Sequence, residues 1–199
     1  FKGIRAAAIA AVCLFHFFPS AAPHGFLGVD AFFVLSGFLV TEMLVTKDMR
    51  RPLSYVSFYF RRVRRILPLY AATVLVCTVG VTVFTETALL YYDTRAAFRA
   101  LLFLANLKGG LVDEDYFRKT VNSRDVFTHC WSLSVEMQFY IIAPILLAPP
   151  LLLKTRPRIS LAYLVVVTSS SLAYFSILNP SDAFNSTFAR LWQFFAGAI

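Results

Sequence analysis

A predominantly apolar stretch from Leu27 to Val45 constrains what this chain can fold into more than any other feature. About 20 residues at a helical rise of about 1.5 Å match a bilayer core of about 30 Å, so this stretch can cross a membrane. The carboxylate of Asp30 lies near its beginning. An ionisable side chain inside a span is costly and is by default a functional candidate, whereas at headgroup level it merely caps the helix. Position alone leaves both interpretations of Asp30 open.

The composition extends this argument to the whole chain. Of its 199 residues, 58% are hydrophobic and 15% are charged, whereas soluble domains have about 45–50% and about 25%. The chain is therefore predicted to be an integral, multi-pass membrane protein. Its net charge of +8 does not indicate a nucleic-acid partner, because the basic residues cluster beside apolar runs, where membrane lipids and anionic cofactors are the expected partners. The three cysteines lack CxxC spacing, so neither a metal site nor a disulfide framework follows.

The apolar runs predict an all-α, polytopic bundle of transmembrane helices. We expect five spans, and the start of a sixth, within a single membrane-embedded domain over residues 1–199 that is incomplete at its C-terminus. The spans are predicted at 3–20, 26–46, 66–85, 131–153 and 159–178, and residues 190–199 open the next one.

Two basic connections predict the orientation of these spans. Residues 47–65 contain seven lysines and arginines, and residues 154–158 contain three more. Positively charged loops stay in the cytoplasm, so both connections and the N-terminus are predicted to be cytoplasmic. Residues 86–130 and 179–189 then lie on the outer side. Within them, residues 96–107 are predicted to form an interfacial or re-entrant helix.

The first predicted span holds two costly side chains, Arg5 and His16. They are separated by about three helical turns, or about 16 Å, on one face. Arg5 near the cytoplasmic end can serve as a topology anchor. His16 is either a packed core residue or a general base, and Asp30 lies at a matching depth. A carboxylate there would orient the imidazole and stabilise its protonated form.

The segment 54–70 places Arg61, Arg62, Arg64 and Arg65 directly before the third span. Such a cluster is typical of a topology signal, yet arginine also binds phosphates through its forked donors. Neighbouring aromatic residues would suit an adenine or an acyl chain. Pro68 is predicted in the first turn of that span, where its missing N–H costs little.

The fourth predicted span begins with a polar stripe formed by His129, Ser132, Glu136 and Tyr140 if the helix starts at His129. A glutamate inside a span is unfavourable against lipid, so Glu136 should face a cavity or a partner. His16 and Arg190 are candidate partners. A structural hydrogen-bond network and a catalytic role are equally compatible with Glu136. The motifs of kinases, dehydrogenases, zincins and lipases are absent from the sequence.

Five stretches in this order resemble the acyltransferase-3 family of integral membrane O-acyltransferases. Arg5 and His16 match the R-x10-H pattern of that family's first helix. One departure is Met137, which stands where the family often has a second acidic residue. The other four stretches are GFLGVDAFFVLSGFL (25–39), FYFRRVRRILPLY (58–70), HCWSLSVEMQFY (129–140) and RLWQFFAG (190–197). Together they cover most of the chain.

The resemblance implies transfer of an acyl group, commonly acetyl, from acyl-CoA to a hydroxyl-bearing acceptor such as a carbohydrate or lipid, without a metal. Carried over to this sequence, His16 is the general base, Asp30 orients it, and Glu136 and Arg190 support the site. The arginines implied in binding the CoA phosphates are Arg5, Arg61, Arg62 and Arg65. A non-catalytic relative, similar to a transporter or receptor, is the alternative.

Overall fold

The computed structural model of the protein describes residues 2–46, 52–84, 90–107, 126–153 and 155–199. Within these ranges the chain forms nine α-helices and no strand, which confirms the predicted all-α fold for them. The helices are α1 (Lys2–Phe17), α2 (Leu27–Thr46), α3 (Pro52–Phe84), α4 (Leu90–Leu101), α5 (Cys130–Leu146), α6 (Ala148–Leu152), α7 (Pro157–Ile177), α8 (Pro180–Asn185) and α9 (Leu191–Ala196).

Four helical segments of the described chain are long and apolar enough to cross a membrane. They are Leu27–Thr46, Ser54–Phe84, Cys130–Leu152 and Pro157–Ile177. Helix α1, predicted as a span over 3–20, has 16 residues and is not among them. The predicted count of five spans and the start of a sixth is therefore not confirmed.

The largest difference from the predicted elements is helix α3, which begins at Pro52 rather than near residue 66 and continues for 33 residues. Proline suits a first helical position, and no glycine or proline interrupts the residues between 53 and 67. Pro68 consequently lies in the middle of the helix, and its predicted place in a first turn is wrong. The N–H that it lacks would have bonded to Arg64, a loss that spanning helices tolerate.

The connections predicted to be outer, and the basic ones, are described only in part. Helix α4 covers Leu90–Leu101. It therefore begins and ends earlier in the chain than the helix predicted over 96–107. The turn that follows holds Phe103 in the left-handed region, with φ 55°. Of the basic residues used to predict orientation, Lys47, Arg50, Arg51 and Lys154 lie outside the described residues, as do residues 108–125 of the outer segment.

The described residues group into two compact units. One is drawn from Phe1–Arg50 and Ile142–Ile199, and the other from Arg51–Ile141. In the first unit, α2 packs against α1 and α9, and α7 packs against α9. Its core is apolar and largely aromatic, with Phe33, Val40, Leu44, Leu147, Phe194 and Phe195 among its buried side chains.

Glycines allow the close packing of α2 in the first unit. A Cβ at Gly37 would overlap the carbonyl of Phe194 on α9, and one at Gly197 would overlap the carbonyl of Val34. The ring of Phe33 stacks on that of Phe194 at 4.8 Å between centroids. The packing of α2 against α9 therefore requires a glycine at position 37.

The second unit consists of α3, α4 and the first part of α5. Its apolar core contains Val74, Val81, Ala97, Ala100 and Phe127. The turn after α4 is fastened to α5 by side-chain amides, since Gln138 donates to the carbonyl of Phe103 at 2.8 Å and to Asn106 Oδ1 at 2.7 Å. Asn106 Nδ2 donates back to Gln138 Oε1 at 3.2 Å. Buried amides are paired in this way because burial without a partner is costly.

Candidate active site

In the first unit, three polar side chains form what we call the Asp30 cluster: Asp30, Arg190 and Gln193. Arg190 Nη1 donates to Asp30 Oδ1 at 3.2 Å, which is also an ion pair. Gln193 Nε2 donates to the same oxygen at 2.8 Å, and Arg190 Nη1 lies 3.4 Å from Gln193 Oε1. Arg190 and Gln193 are buried, whereas the side chain of Asp30 keeps 30% of its exposure. The cluster thus joins the beginning of α2 to the beginning of α9.

The guanidinium of Arg190 is held from several sides. Its Nε donates to the carbonyl of Phe184 at 2.7 Å. The rings of Phe184, Phe33 and Phe175 lie 4.9, 5.9 and 5.9 Å from its central carbon, within the range of cation–π attraction. A buried cation is stable only when paired and hydrogen-bonded, and both conditions are met here.

Helix α7 caps the beginning of α9 from outside. Arg190 is the N-cap residue of α9, but its side chain makes no capping bond. Ser171 Oγ of α7 accepts the N–H of Trp192 at 2.9 Å and donates to the carbonyl of Phe188 at 2.8 Å. One serine therefore satisfies an orphan N–H of the helix terminus, a task that local caps usually perform.

His16 lies in the last turn of α1 and is exposed. Its Nδ1 is 2.8 Å from the carbonyl oxygen of Val12. A carbonyl only accepts, so Nδ1 carries the proton in this bond, and in the neutral ring Nε2 carries the lone pair. Asp30 makes its hydrogen bonds to Arg190 and Gln193. The orientation of His16 by Asp30 therefore stays a prediction, and a backbone carbonyl already orients the ring.

The predicted phosphate-binding arginines differ in exposure. Arg61 and Arg65 are exposed on α3, and Arg61 Nη1 donates to Ser57 Oγ at 2.6 Å. Arg62 is only 7% exposed. Arg5, in the first turns of α1, is half-buried. A group that must meet a charged ligand needs an accessible head, so Arg61 and Arg65 fit that task and Arg62 fits it less well.

Arg62 belongs instead to the Glu136 cluster of the second unit, which we define as Arg62, Glu136 and Tyr140. Its guanidinium lies over the ring of Tyr140 at 4.5 Å and over that of Phe58 at 5.6 Å. The hydroxyl of Tyr140 donates to Glu136 Oε1 one helical turn earlier on α5. Glu136 itself is half-buried. The predicted polar stripe is confirmed between Glu136 and Tyr140, whereas His129 precedes the helix, which begins at Cys130.

Two residues of these clusters were not predicted as site residues. Gln193 follows Arg190 by three positions and so shares its helix face, which was the signal that the sequence offered. Tyr140 was noticed only as part of a stripe. Arg190 was a candidate partner of Glu136, and the structure pairs it with Asp30, a contact across 160 positions of sequence.

The acyltransferase domain model matches residues 1–199 of the chain. The chain belongs to the acyltransferase-3 family. With four helices apolar enough to span a bilayer, it is an integral membrane protein.

Its relatives carry the name O-acetyltransferase. O-acetyltransferase OatA of Staphylococcus aureus (strain NCTC 8325 / PS 47) is 30% identical over 99% of this chain and 33% of its own length. A putative O-acetyltransferase of Staphylococcus aureus (strain COL) is 34% identical over 81% of this chain and 26% of its own length. The chain thus spans about a third of the first of these relatives. No solved structure matches it.

Proposed function

We propose that the protein is a membrane O-acyltransferase that moves an acyl group, in particular acetyl, from acyl-CoA to a hydroxyl of an acceptor. The observation that carries this proposal is the hydrogen bond of His16 Nδ1 to the carbonyl of Val12. It leaves Nε2 as the basic nitrogen of an exposed imidazole, the arrangement that a general base needs. The names of the relatives support acetyl as the acyl group and oxygen as the acceptor atom.

The proposed chemistry is a direct transfer. His16 Nε2 takes the proton of the acceptor hydroxyl as its oxygen attacks the thioester carbonyl carbon. The C–O bond forms, the C–S bond breaks, and the thiolate of CoA takes up the proton from the imidazolium. Because proton transfer by a positioned base contributes about 10²–10⁴-fold to a rate, losing His16 should abolish measurable turnover.

Donor binding is assigned to the exposed arginines of α3. Arg61 and Arg65 carry exposed guanidinium groups that can pair with the phosphates of CoA. Arg5 is an assisting candidate, and membrane lipids surround the bundle. Glu136 supports the site through its hydrogen bond with Tyr140, and Asp30 through the cluster that fastens α2 to α9.

The test is acetyl-CoA consumption by the full-length protein in lipid nanodiscs, with a membrane extract as the source of acceptors. His16→Asn is the sharpest variant, because its side-chain N–H can still donate to the Val12 carbonyl while no basic nitrogen remains. We expect a loss of at least about 100-fold. His24→Ala, which removes another exposed histidine of the same unit, is the control and should retain activity. Full turnover in His16→Asn would contradict the assignment of the base.

The donor site is tested separately. Arg61→Ala and Arg65→Ala should each raise the KM for acetyl-CoA about tenfold, the loss of one charge-assisted contact, with little change in kcat. Arg95→Ala removes an exposed arginine that stacks on Tyr91 of α4 and serves as the control. An unchanged KM in both α3 variants would reject the phosphate-binding role. Acetyl-CoA binding without any turnover would favour a non-catalytic protein.

A further inference from the structure

The arginines of α3 divide into exposed and buried members. Arg61 and Arg65 are exposed, whereas Arg62, between them in sequence, is buried against aromatic rings. The two aromatic residues that contact Arg62 are themselves buried, because Phe58 has 0% and Tyr140 has 3% of its surface exposed. Arg62 is therefore packed between the rings of Phe58 and Tyr140.

Tyr140 meets two charged groups at two different parts of its side chain. Its ring face receives the guanidinium of Arg62 at 4.5 Å. Its hydroxyl donates to the carboxylate of Glu136. A guanidinium on the ring face withdraws electron density from the phenol and makes its O–H a better donor, so the two contacts reinforce each other.

The hydrogen bond also restricts Glu136. A half-buried carboxylate with one oxygen held by a phenol cannot rotate freely, and its other oxygen then keeps a constant direction. Preorganised charge of this kind lowers a barrier more than mobile charge does, because nothing has to reorient during the reaction.

We propose that Tyr140 is a positioning residue of the acyltransfer reaction, which holds the Glu136 carboxylate while its ring is held by Arg62. The inference rests on the proposed function, since the position of the Glu136 carboxylate affects kcat only if the protein catalyses acyl transfer. Arg62 acts here through packing against Tyr140 and not as a phosphate ligand. This separates the three predicted phosphate-binding arginines of α3 into a donor-binding pair, Arg61 and Arg65, and Arg62, which supports α5.

The chain offers a matched control for the test. Tyr59 of α3 also bonds to α5, because its hydroxyl donates to the carbonyl of Ile141 at 2.9 Å. Tyr140→Phe and Tyr59→Phe each remove one hydroxyl and one hydrogen bond of the same unit and leave the ring in place. Only Tyr140→Phe takes a donor away from a carboxylate.

The experiment measures kcat and the KM for acetyl-CoA of the full-length protein in nanodiscs, for both tyrosine variants, Glu136→Gln and the double variant Tyr140→Phe/Glu136→Gln. We expect Tyr140→Phe to lower kcat about 10- to 100-fold with KM changed less than about twofold, and Tyr59→Phe to lower it less than about threefold. In the Glu136→Gln background, Tyr140→Phe should have no further effect, because it acts through that carboxylate.

Three results would overturn the inference while leaving the proposed function intact. These are wild-type kcat in Tyr140→Phe, equal losses in both tyrosine variants, and a full additional loss from Tyr140→Phe in the Glu136→Gln background. Absence of turnover in the wild-type protein is a different result, since it rejects the proposed function and the inference with it. Thermal unfolding of each variant shows that it is folded.

Discussion

At the scale of single residues, the central feature is the ion pair between buried Arg190 and half-buried Asp30, which lie far apart in the sequence. Arg190 Nη1 and Asp30 Oδ1 are 3.2 Å apart, and Gln193 supports the same oxygen. A buried pair adds little stability compared with apolar side chains of the same size, but removing one partner leaves a buried charge alone. Stability should therefore respond unequally to single and double substitutions.

We predict that Arg190→Leu and Asp30→Leu each destabilise the protein. Asp30→Leu should cost about 3–5 kcal/mol, because it leaves the buried guanidinium of Arg190 without its carboxylate. The double variant Asp30→Leu/Arg190→Leu should be more stable than Asp30→Leu alone, because no unpaired charge remains. Thermal unfolding in detergent micelles measures both. Asp182→Asn, at an exposed position of α8, is the control and should unfold as the wild type does. Losses that simply add in the double variant would contradict the importance of the pair.

At the scale of helices, close packing explains the glycines that surround Asp30. Helix α2 approaches α9 so closely that Gly37 contacts the backbone of Phe194, and Gly28 faces the carbonyl of Ala8 on α1 in the same manner. By contrast, a Cβ at Gly80 of α3 would meet no described atom within 4 Å apart from its chain neighbours and the nearby backbone of its own helix. The same residue type therefore has opposite consequences in two helices.

We predict that Gly37→Ala destabilises the protein by about 1–3 kcal/mol, the usual cost of an overpacked contact, because a backbone carbonyl cannot move aside as a flexible side chain can. Gly80→Ala should instead be neutral or stabilise α3 by up to about 1 kcal/mol, since alanine favours a helix over glycine. Thermal unfolding of Gly37→Ala and Gly80→Ala checks both expectations. Equal stability of the two would contradict the close approach of α2 and α9.

At the scale of the whole molecule, the orientation in the membrane is the prediction to be measured. The basic connections predict that residues 154–158 lie in the cytoplasm and 179–189 on the outer side. The structure describes four helices able to span a bilayer but contains no membrane, so orientation stays a prediction.

Cysteine labelling in intact cells tests it. In a background with Cys13, Cys77 and Cys130 replaced by alanine, we predict that Ser181→Cys reacts with a membrane-impermeant maleimide, because residue 181 is exposed and should face outwards. Arg158→Cys, exposed beside the beginning of α7, should react only after the cells are permeabilised. The reverse pattern would invert the orientation, and reaction of both in intact cells would place them on the same outer side.

The sequence by itself determined the helical, membrane-spanning character of this protein and its family resemblance. A high apolar content and long apolar runs predicted helices that cross a membrane, because the backbone must satisfy its own hydrogen bonds in lipid. The ordered motifs around His16, Asp30 and Glu136 indicated the family. These properties depend on local pattern, which needs no knowledge of partners distant in the chain.

Only the tertiary structure decided which polar groups meet. Asp30 pairs with Arg190 and Gln193, and the guanidinium of Arg62 lies over the ring of Tyr140. Helix α3 also begins 14 residues earlier than residue 66, since its arginines extend the helix rather than ending it. The cost of a buried charge depends on what surrounds it in three dimensions, so the sequence shows that Asp30 needs a partner, and only packing selects Arg190 and Gln193 for it.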